Sequence, residues 1–269
     1  MHGPWRRQAR PTSFRLKDYR ELLSKDLGWE ELQDLLHDPE FFASYTVDEG
    51  IQSALIDRAL GIASHEIEDS LLGEARPLSG EQKVDALGRN LHEGRQTWVG
   101  LDPETLQTPY PQLWEICEQL EIQKGEVVVD LGAAFGRLGL VLNCYAPETV
   151  FLGYEYVRKR AEEAERVFRY YHCENARVRC VDLADENFYP DAADVYFLYD
   201  YGRSDQVRTT LKQLKELSDQ GKNFSVVARG RSVTSLIEYR HPWLAEVFEK
   251  RRFEEVTIFS NYPRFERRS

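Results

Sequence analysis

The stretch Val127-Val-Val-Asp130-Leu-Gly132-Ala-Ala134-Phe-Gly136-Arg137 carries the residue types and spacing best suited to chemistry. An apolar run ends in an acid, and a turn of small residues then opens an apolar, helix-spaced segment. Small residues allow backbone to approach a ligand closely, and the N–H groups at a helix start receive negative charge. That is the layout of a nucleotide-type site. Its spacing selects among nucleotides. The dinucleotide fingerprint GxGxxG needs a small third residue where helix packs on strand, and Arg137 stands there. The spacing GxxxGxG fails too, because Leu138 occupies its last position. The spacing acid-x-Gly-x-small-x-Gly is met by Asp130, Gly132, Ala134 and Gly136.

Two further acids stand at comparable places. Glu155 follows the apolar run Val150 to Tyr154, and Asp182 follows Arg177 to Val181. A third run, Asp194 to Tyr199, leads into Asp200, Tyr201 and Gly202. A strand-end carboxylate can take part in proton transfer, and aromatic faces shelter cationic groups.

These residues need a scaffold, and the texture beyond Pro111 supplies one. Apolar strands alternate with amphipathic helices, the βαβ pattern of a parallel sheet. The reading is a helix Pro111 to Glu121, a strand Glu126 to Asp130, a helix through Leu138 and Leu142, and a strand Val150 to Tyr154. A charged helix Arg158 to Tyr170 and strands Arg177 to Val181 and Asp194 to Tyr199 follow. Next come a helix Asp205 to Leu217, a strand Phe224 to Ala228, a helix around Trp243 to Lys250 and a strand Phe253 to Phe259. Six strands are expected, in an α/β fold with a mostly parallel sheet and helices on both faces. In such sheets ligands lie outside the carboxyl ends of the strands, where the strand order reverses. The charged helix reads as a solvated face with i,i+4 pairs.

On these residues the chain resembles the class I, seven-stranded, Rossmann-like S-adenosylmethionine-dependent methyltransferases over roughly residues 105 to 260. Ala134 stands where the family usually has its middle glycine. The resemblance implies S-adenosylmethionine as cofactor, held by Asp130, Gly132, Ala134 and Gly136, with Glu155 on the ribose hydroxyls and Asp182 at the adenine edge. Charge agrees: this cofactor carries a sulfonium and an ammonium and no phosphate, so an acid ahead of the turn attracts it and would repel a diphosphate. Tyr199, Asp200 and Tyr201 would face the transferable methyl as the catalytic group. The segment departs from the Asn/Asp-Pro-Pro-Tyr motif of methyltransferases acting on bases or glutamine amides. A softer resemblance, through Thr108-Pro-Tyr110-Pro111, Gly136-Arg137 and Gly153-Tyr-Glu155, is to the protein-lysine methyltransferases, and it implies Thr108 and Tyr110 over the methionine end. A protein amine is the implied acceptor and a small molecule the next. A non-catalytic, cofactor-binding assembly protein and a dinucleotide-dependent oxidoreductase are the competing readings.

Upstream, residues 21–105 read as a helical N-terminal module and linker. Apolar residues recur at helical spacing at Leu27, Leu32, Leu35 and Leu36, then Ile51, Leu55, Leu60 and Ile62, with Asp48 and Glu49 at a helix start. Gly94, Trp98, Gly100, Pro103, Pro109 and Pro111 mark an irregular connection. Residues 1–20 form a basic arm with Arg6, Arg7, Arg10, Arg15 and Lys17, a composition that transit peptides share. Residues 106–269 are the expected methyltransferase domain.

Composition bounds the rest. The 269 residues hold 35 Lys plus Arg against 46 Asp plus Glu, a net charge of -11, which disfavours a polyanion-coating surface, so a nucleic-acid partner is not expected. Cys117, Cys144, Cys173 and Cys180 form no CxxC pair and no metal spacing with the six histidines. They read as reduced thiols of a cytoplasmic protein without a bound metal. No run of about 18 apolar residues suits a membrane span. Oligomeric state is not encoded in any recognisable motif.

Overall fold

A computed structural model of the chain describes residues 27–43, 49–74, 107–199, 201–202, 204–246, 248 and 250–265. Seven strands form one sheet: β1 (Val127–Leu131), β2 (Val150–Glu155), β3 (Ala176–Cys180), β4 (Val195–Tyr199), β5 (Ser225–Arg229), β6 (Arg251–Phe253) and β7 (Val256–Ser260). Their order is β3-β2-β1-β4-β5-β7-β6. The first five are parallel, whereas β7 runs antiparallel to both β5 and β6. The order reverses between β1 and β4, so the carboxyl ends of those two strands border the ligand crevice expected of an open parallel sheet.

Strand alternation sends neighbouring side chains to opposite faces. Val128 joins one core with Phe151, Val178 and Phe197, while Val129 and Leu131 join another with Tyr196, Leu198 and Val226. Both faces are therefore apolar, which is why these strands read as continuous hydrophobic runs. The first face is covered by α1 (Trp29–Leu36), α2 (Pro39–Ala43), α3 (Glu49–Ala59), α5 (Tyr110–Leu120), α6 (Arg137–Tyr145) and α7 (Arg158–Tyr170). The helix α4 (Ser64–Glu74) packs alongside α7. The second face is covered by α8 (Ser204–Asp219), α9 (Arg231–Arg240) and α10 (Pro242–Ala245).

The end of the chain departs from expectation in two ways. The single strand expected over Phe253 to Phe259 is a hairpin, because Glu254 adopts φ 45° and reverses the chain between β6 and β7. Seven strands result instead of six. The helix expected around Trp243 to Lys250 is only the short α10, and a longer one, α9, precedes it. Val233 and Ile237 recur four residues apart on α9 and bury its inner face.

The helix α7 is also less solvated than its composition suggests. Arg158 and Glu162 form an exposed i,i+4 pair at 3.9 Å, but Arg160 and Glu163 are buried. Arg160 donates to the Glu68 carboxylate of α4 at 2.6 and 2.9 Å. Glu163 accepts the Ala63 N–H at 2.8 Å. These residues turn inward because the N-terminal helices cover that face. The basic arm, Asp48 and the Gly94 to Pro103 connection lie outside the described residues. No described helix is long and apolar enough to cross a membrane.

Candidate functional site

The β1–α6 turn is shaped by backbone bonds before any side chain acts. The Gly132 and Ala133 N–H groups both donate to the Tyr154 carbonyl at 2.9 Å, tying the turn to the end of β2. Gly132 has φ 97° and Gly136 φ 79°, the left-handed region that glycine enters without a Cβ penalty. Ala134 sits there as well at φ 46°, and its N–H donates to Glu155 Oε2 at 2.9 Å. The Val157 N–H donates to Glu155 Oε1 at 2.8 Å, and Arg160 Nη1 stands 3.8 Å from that oxygen. Glu155 is buried, with Oε1 facing both Val157 and Arg160, while Oε2, bonded to Ala134 alone, retains a lone pair for a further donor.

A cleft of about 500 Å³, counted out to its open mouth, lies over this turn at the ends of β1, β4 and β5. Of the residues expected in a site, Thr108, Asp130, Gly132, Ala134 and Tyr199 line it. Asp130 is half-buried, and its carboxylate has no hydrogen-bond or ion-pair partner among the described residues. Burial, then the nearby Glu155 charge, push its carboxyl up to about 7. A group so perturbed within a cleft is a functional-site signature. Leu113, Ile116, Phe197 and Val227 form an apolar wall.

The other expected residues are not among the cleft lining, and Glu155 stands behind the turn on the Ala134 N–H. Asp182 is half-buried beyond β3, its Oδ1 accepting the Ala184 N–H at 2.9 Å. Gly136 makes room for a helix: a Cβ there would meet Phe168 Cζ of α7 at 2.7 Å. Tyr110 does not reach the cleft. It is fully buried against Phe42, its hydroxyl donating to Asp57 at 2.8 Å. Tyr201 packs over the glycine turn, where a Cβ on Gly132 would meet its own Cβ at 2.5 Å. Its hydroxyl pairs with Thr210, and burial raises the phenol well above its ordinary value. Asp200 lies outside the described residues.

Arg137, whose size argues against a dinucleotide fingerprint, is buried beside the turn. Its Nε donates to both Asp57 oxygens at 3.1 Å, and its guanidinium lies 5.1 Å from the Tyr110 ring centroid. Two polar cleft residues escaped the sequence reading, Gln107 and Arg229. Arg229 had a signal: a charged residue closing the apolar run Ser225-Val-Val-Ala-Arg229, immediately before Gly230. Gln107 had none beyond its position next to Thr108.

Five parallel strands with an antiparallel β7 beside β5, helices on both faces and acids at the ends of β1 and β2 settle the architecture. The chain has a Rossmann-like fold with a mostly parallel, seven-stranded sheet. No protein-family model matches the sequence, and no curated protein does. Among solved structures, the fold is similar to an RNA methyltransferase from Salinibacter ruber in complex with S-adenosyl-L-homocysteine. That likeness has 17% identity and a TM-score of 0.42 and covers 57% of this chain and 91% of that one. Precorrin-6y C5,15-methyltransferase from Geobacter metallireducens GS-15 gives 14% identity and a TM-score of 0.45, covering 61% and 93%. TrmN from Thermus thermophilus gives 14% and 0.39, covering 58% and 48%. At these identities the likenesses are distant ones.

Proposed function

We propose that this protein is an S-adenosylmethionine-dependent methyltransferase, with a protein amine of the lysine type as the first acceptor class and a small molecule as the second. The observation that carries the reading is Asp130, an acid at the switch point of the sheet, open to the cleft and without a protein partner among the described residues. Leaving a partly buried carboxylate unpaired is costly, and a ligand ammonium would relieve that cost. The same acid repels a pyrophosphate, which argues against the dinucleotide alternative.

The cofactor, when bound, supplies an electrophilic methyl on sulfur. The chain's own residues have five tasks. The ionised Asp130 holds the amino group, and the Glu155 carboxylate behind the turn receives the ribose hydroxyls. The wall of Leu113, Ile116, Phe197 and Val227 excludes water, so electrostatic interactions in the cleft strengthen. Tyr199 lines the cleft at the end of β4 and is placed to orient an acceptor. The protein contributes chiefly by alignment, because in-line transfer gains most from positioning. An acceptor amine must be neutral to attack, and Asp200 is the proposed recipient of its proton. The proposed organisation is a basic arm at 1–20, a helical module at 21–105 that caps the site, and the catalytic domain at 106–269, acting in the cytoplasm.

The test has two stages. Calorimetry with S-adenosylhomocysteine and with NAD should give binding for the first alone, and Glu155→Ala should abolish it. Labelled S-adenosylmethionine should then pass label to peptide, small-amine or RNA pools. NAD binding without S-adenosylhomocysteine binding overturns the reading. Binding without transfer to any pool favours a non-catalytic assembly protein, and transfer to RNA corrects the acceptor class.

A further inference from the structure

The cleft holds three buried polar atoms that the protein leaves without hydrogen-bond partners: Arg229 Nη1, Gln107 Nε2 and Gln107 Oε1. Gln107 is only 5% exposed. Buried polar groups in folded proteins are nearly always satisfied, and leaving them unmade is costly. Three such atoms on one cleft therefore call for an occupant with complementary groups.

The rest of the Arg229 environment holds its guanidinium in place. The guanidinium carbon lies 4.0 Å from the centroid of the Tyr199 ring, a cation–π arrangement that fixes its plane. Its Nε donates to Gln112 Oε1 at 2.6 Å, and Gln112 Nε2 in turn donates to Glu254 Oε2 at 2.7 Å. The Gln112 amide is thus oriented by an acid on the β6–β7 turn, and it directs the guanidinium from one side. No carboxylate pairs directly with Arg229 among the described residues, so its charge is not neutralised by a contact within the protein. A fixed, planar cation with an unused N–H, beside an amide that offers a further donor, matches a carboxylate in shape and charge.

We infer that Arg229 and Gln107 form a carboxylate-recognition subsite at the β5 end of the cleft. The inference rests on the methyltransferase reading of that cleft and adds a requirement to it. A carboxylate can come from the amino-acid end of the cofactor or from the acceptor. In the second case the acceptor is an amine that carries an acid, such as an amino acid or a lysine within an acidic peptide, and a lysine without a neighbouring acid is disfavoured by the Arg229 charge.

Calorimetry on the full chain separates the outcomes. S-adenosylhomocysteine, 5′-methylthioadenosine, which lacks the amino-acid end, and acetate are titrated into wild type, Arg229→Met and Gln107→Leu. If the carboxylate is the cofactor's, Arg229→Met weakens S-adenosylhomocysteine at least tenfold and leaves 5′-methylthioadenosine within twofold. If it is the acceptor's, both nucleosides keep their affinities, and acetate binds wild type loaded with S-adenosylhomocysteine but not loaded Arg229→Met. Gln107→Leu should show a smaller loss in the same direction, and it serves if Arg229→Met does not fold. Unchanged S-adenosylhomocysteine affinity in both variants, together with no acetate binding to loaded wild type, overturns the subsite. Failure of wild type to bind either nucleoside defeats the methyltransferase reading instead. Acetate binding to the free protein, lost in Arg229→Met, would then still uphold the subsite, and its absence would sink it.

Discussion

Asp130 couples binding to pH. Its folded carboxyl titrates at about 7, well above the ordinary carboxylate range, so it reaches full charge only in mildly alkaline solution. A cationic ligand binds the ionised form, so S-adenosylhomocysteine affinity should rise between pH 6 and 8. Asp130→Asn should remove that rise and weaken binding roughly ten- to a hundredfold at pH 8, the scale of one charge-assisted hydrogen bond. The ligand-free protein should show the opposite slope. A raised folded value favours the protonated form, so stability is greatest below the unfolded value and is lost as pH climbs through about 7. Melting temperatures of wild type across pH 5 to 8 should fall relative to those of Asp130→Asn. Ala134 offers a second check at this scale. Its left-handed backbone strains any residue with a Cβ, so Ala134→Gly should stabilise the chain by about 0.5–1 kcal/mol, read as a rise of a few degrees in the melting temperature.

At the scale of elements, two arginines at helix starts join the N-terminal helices to the β1–α6 turn and the end of β2. Arg137, the first residue of α6, is clamped by Asp57 of α3, and Arg160 near the start of α7 bridges Glu68 of α4 and Glu155 of β2. Each pair is buried on both sides. Removing one partner of a buried pair strands a charge and costs about 3–5 kcal/mol. Asp57→Ala should therefore destabilise the protein by that amount in urea titration. It should also weaken S-adenosylhomocysteine binding, because Arg137 adjoins the turn and its Nη1 reaches the Thr108 carbonyl at 3.4 Å. An unchanged denaturation midpoint would show the pair to be dispensable.

Over the whole molecule, α1 to α3 and the sheet share one apolar core. Leu36, Phe41, Phe42 and Ile56 pack in the same cluster as Tyr110, Leu138 and Phe168. Large core side chains each contribute a few kcal/mol on burial, against a net stability of only about 5–15 kcal/mol for a domain. A fragment beginning at Gln107 should accordingly be aggregation-prone and lack a cooperative melt, measured by calorimetry against the full chain. A sharp transition in the fragment would show that the sheet with its remaining helices is self-sufficient.

The chain's local order disclosed the strand–turn–helix unit from Asp130 to Arg137 and the succession of parallel strands, because alternation and left-handed turns are short-range properties. Helix α7 was also legible end to end, since its length and spacing suffice. Local sequence could not tell which side a residue faces once distant segments cover it. Tyr110 and Tyr201 read as site residues, yet Phe42 and Asp57 enclose one while Gly132 and Thr210 enclose the other. The β6–β7 hairpin places Glu254 on Gln112, 142 positions away, and through it fixes Arg229 at the cleft. Which charges are paired and which are left open to a ligand is a property of three-dimensional neighbours, so tertiary structure alone decided it.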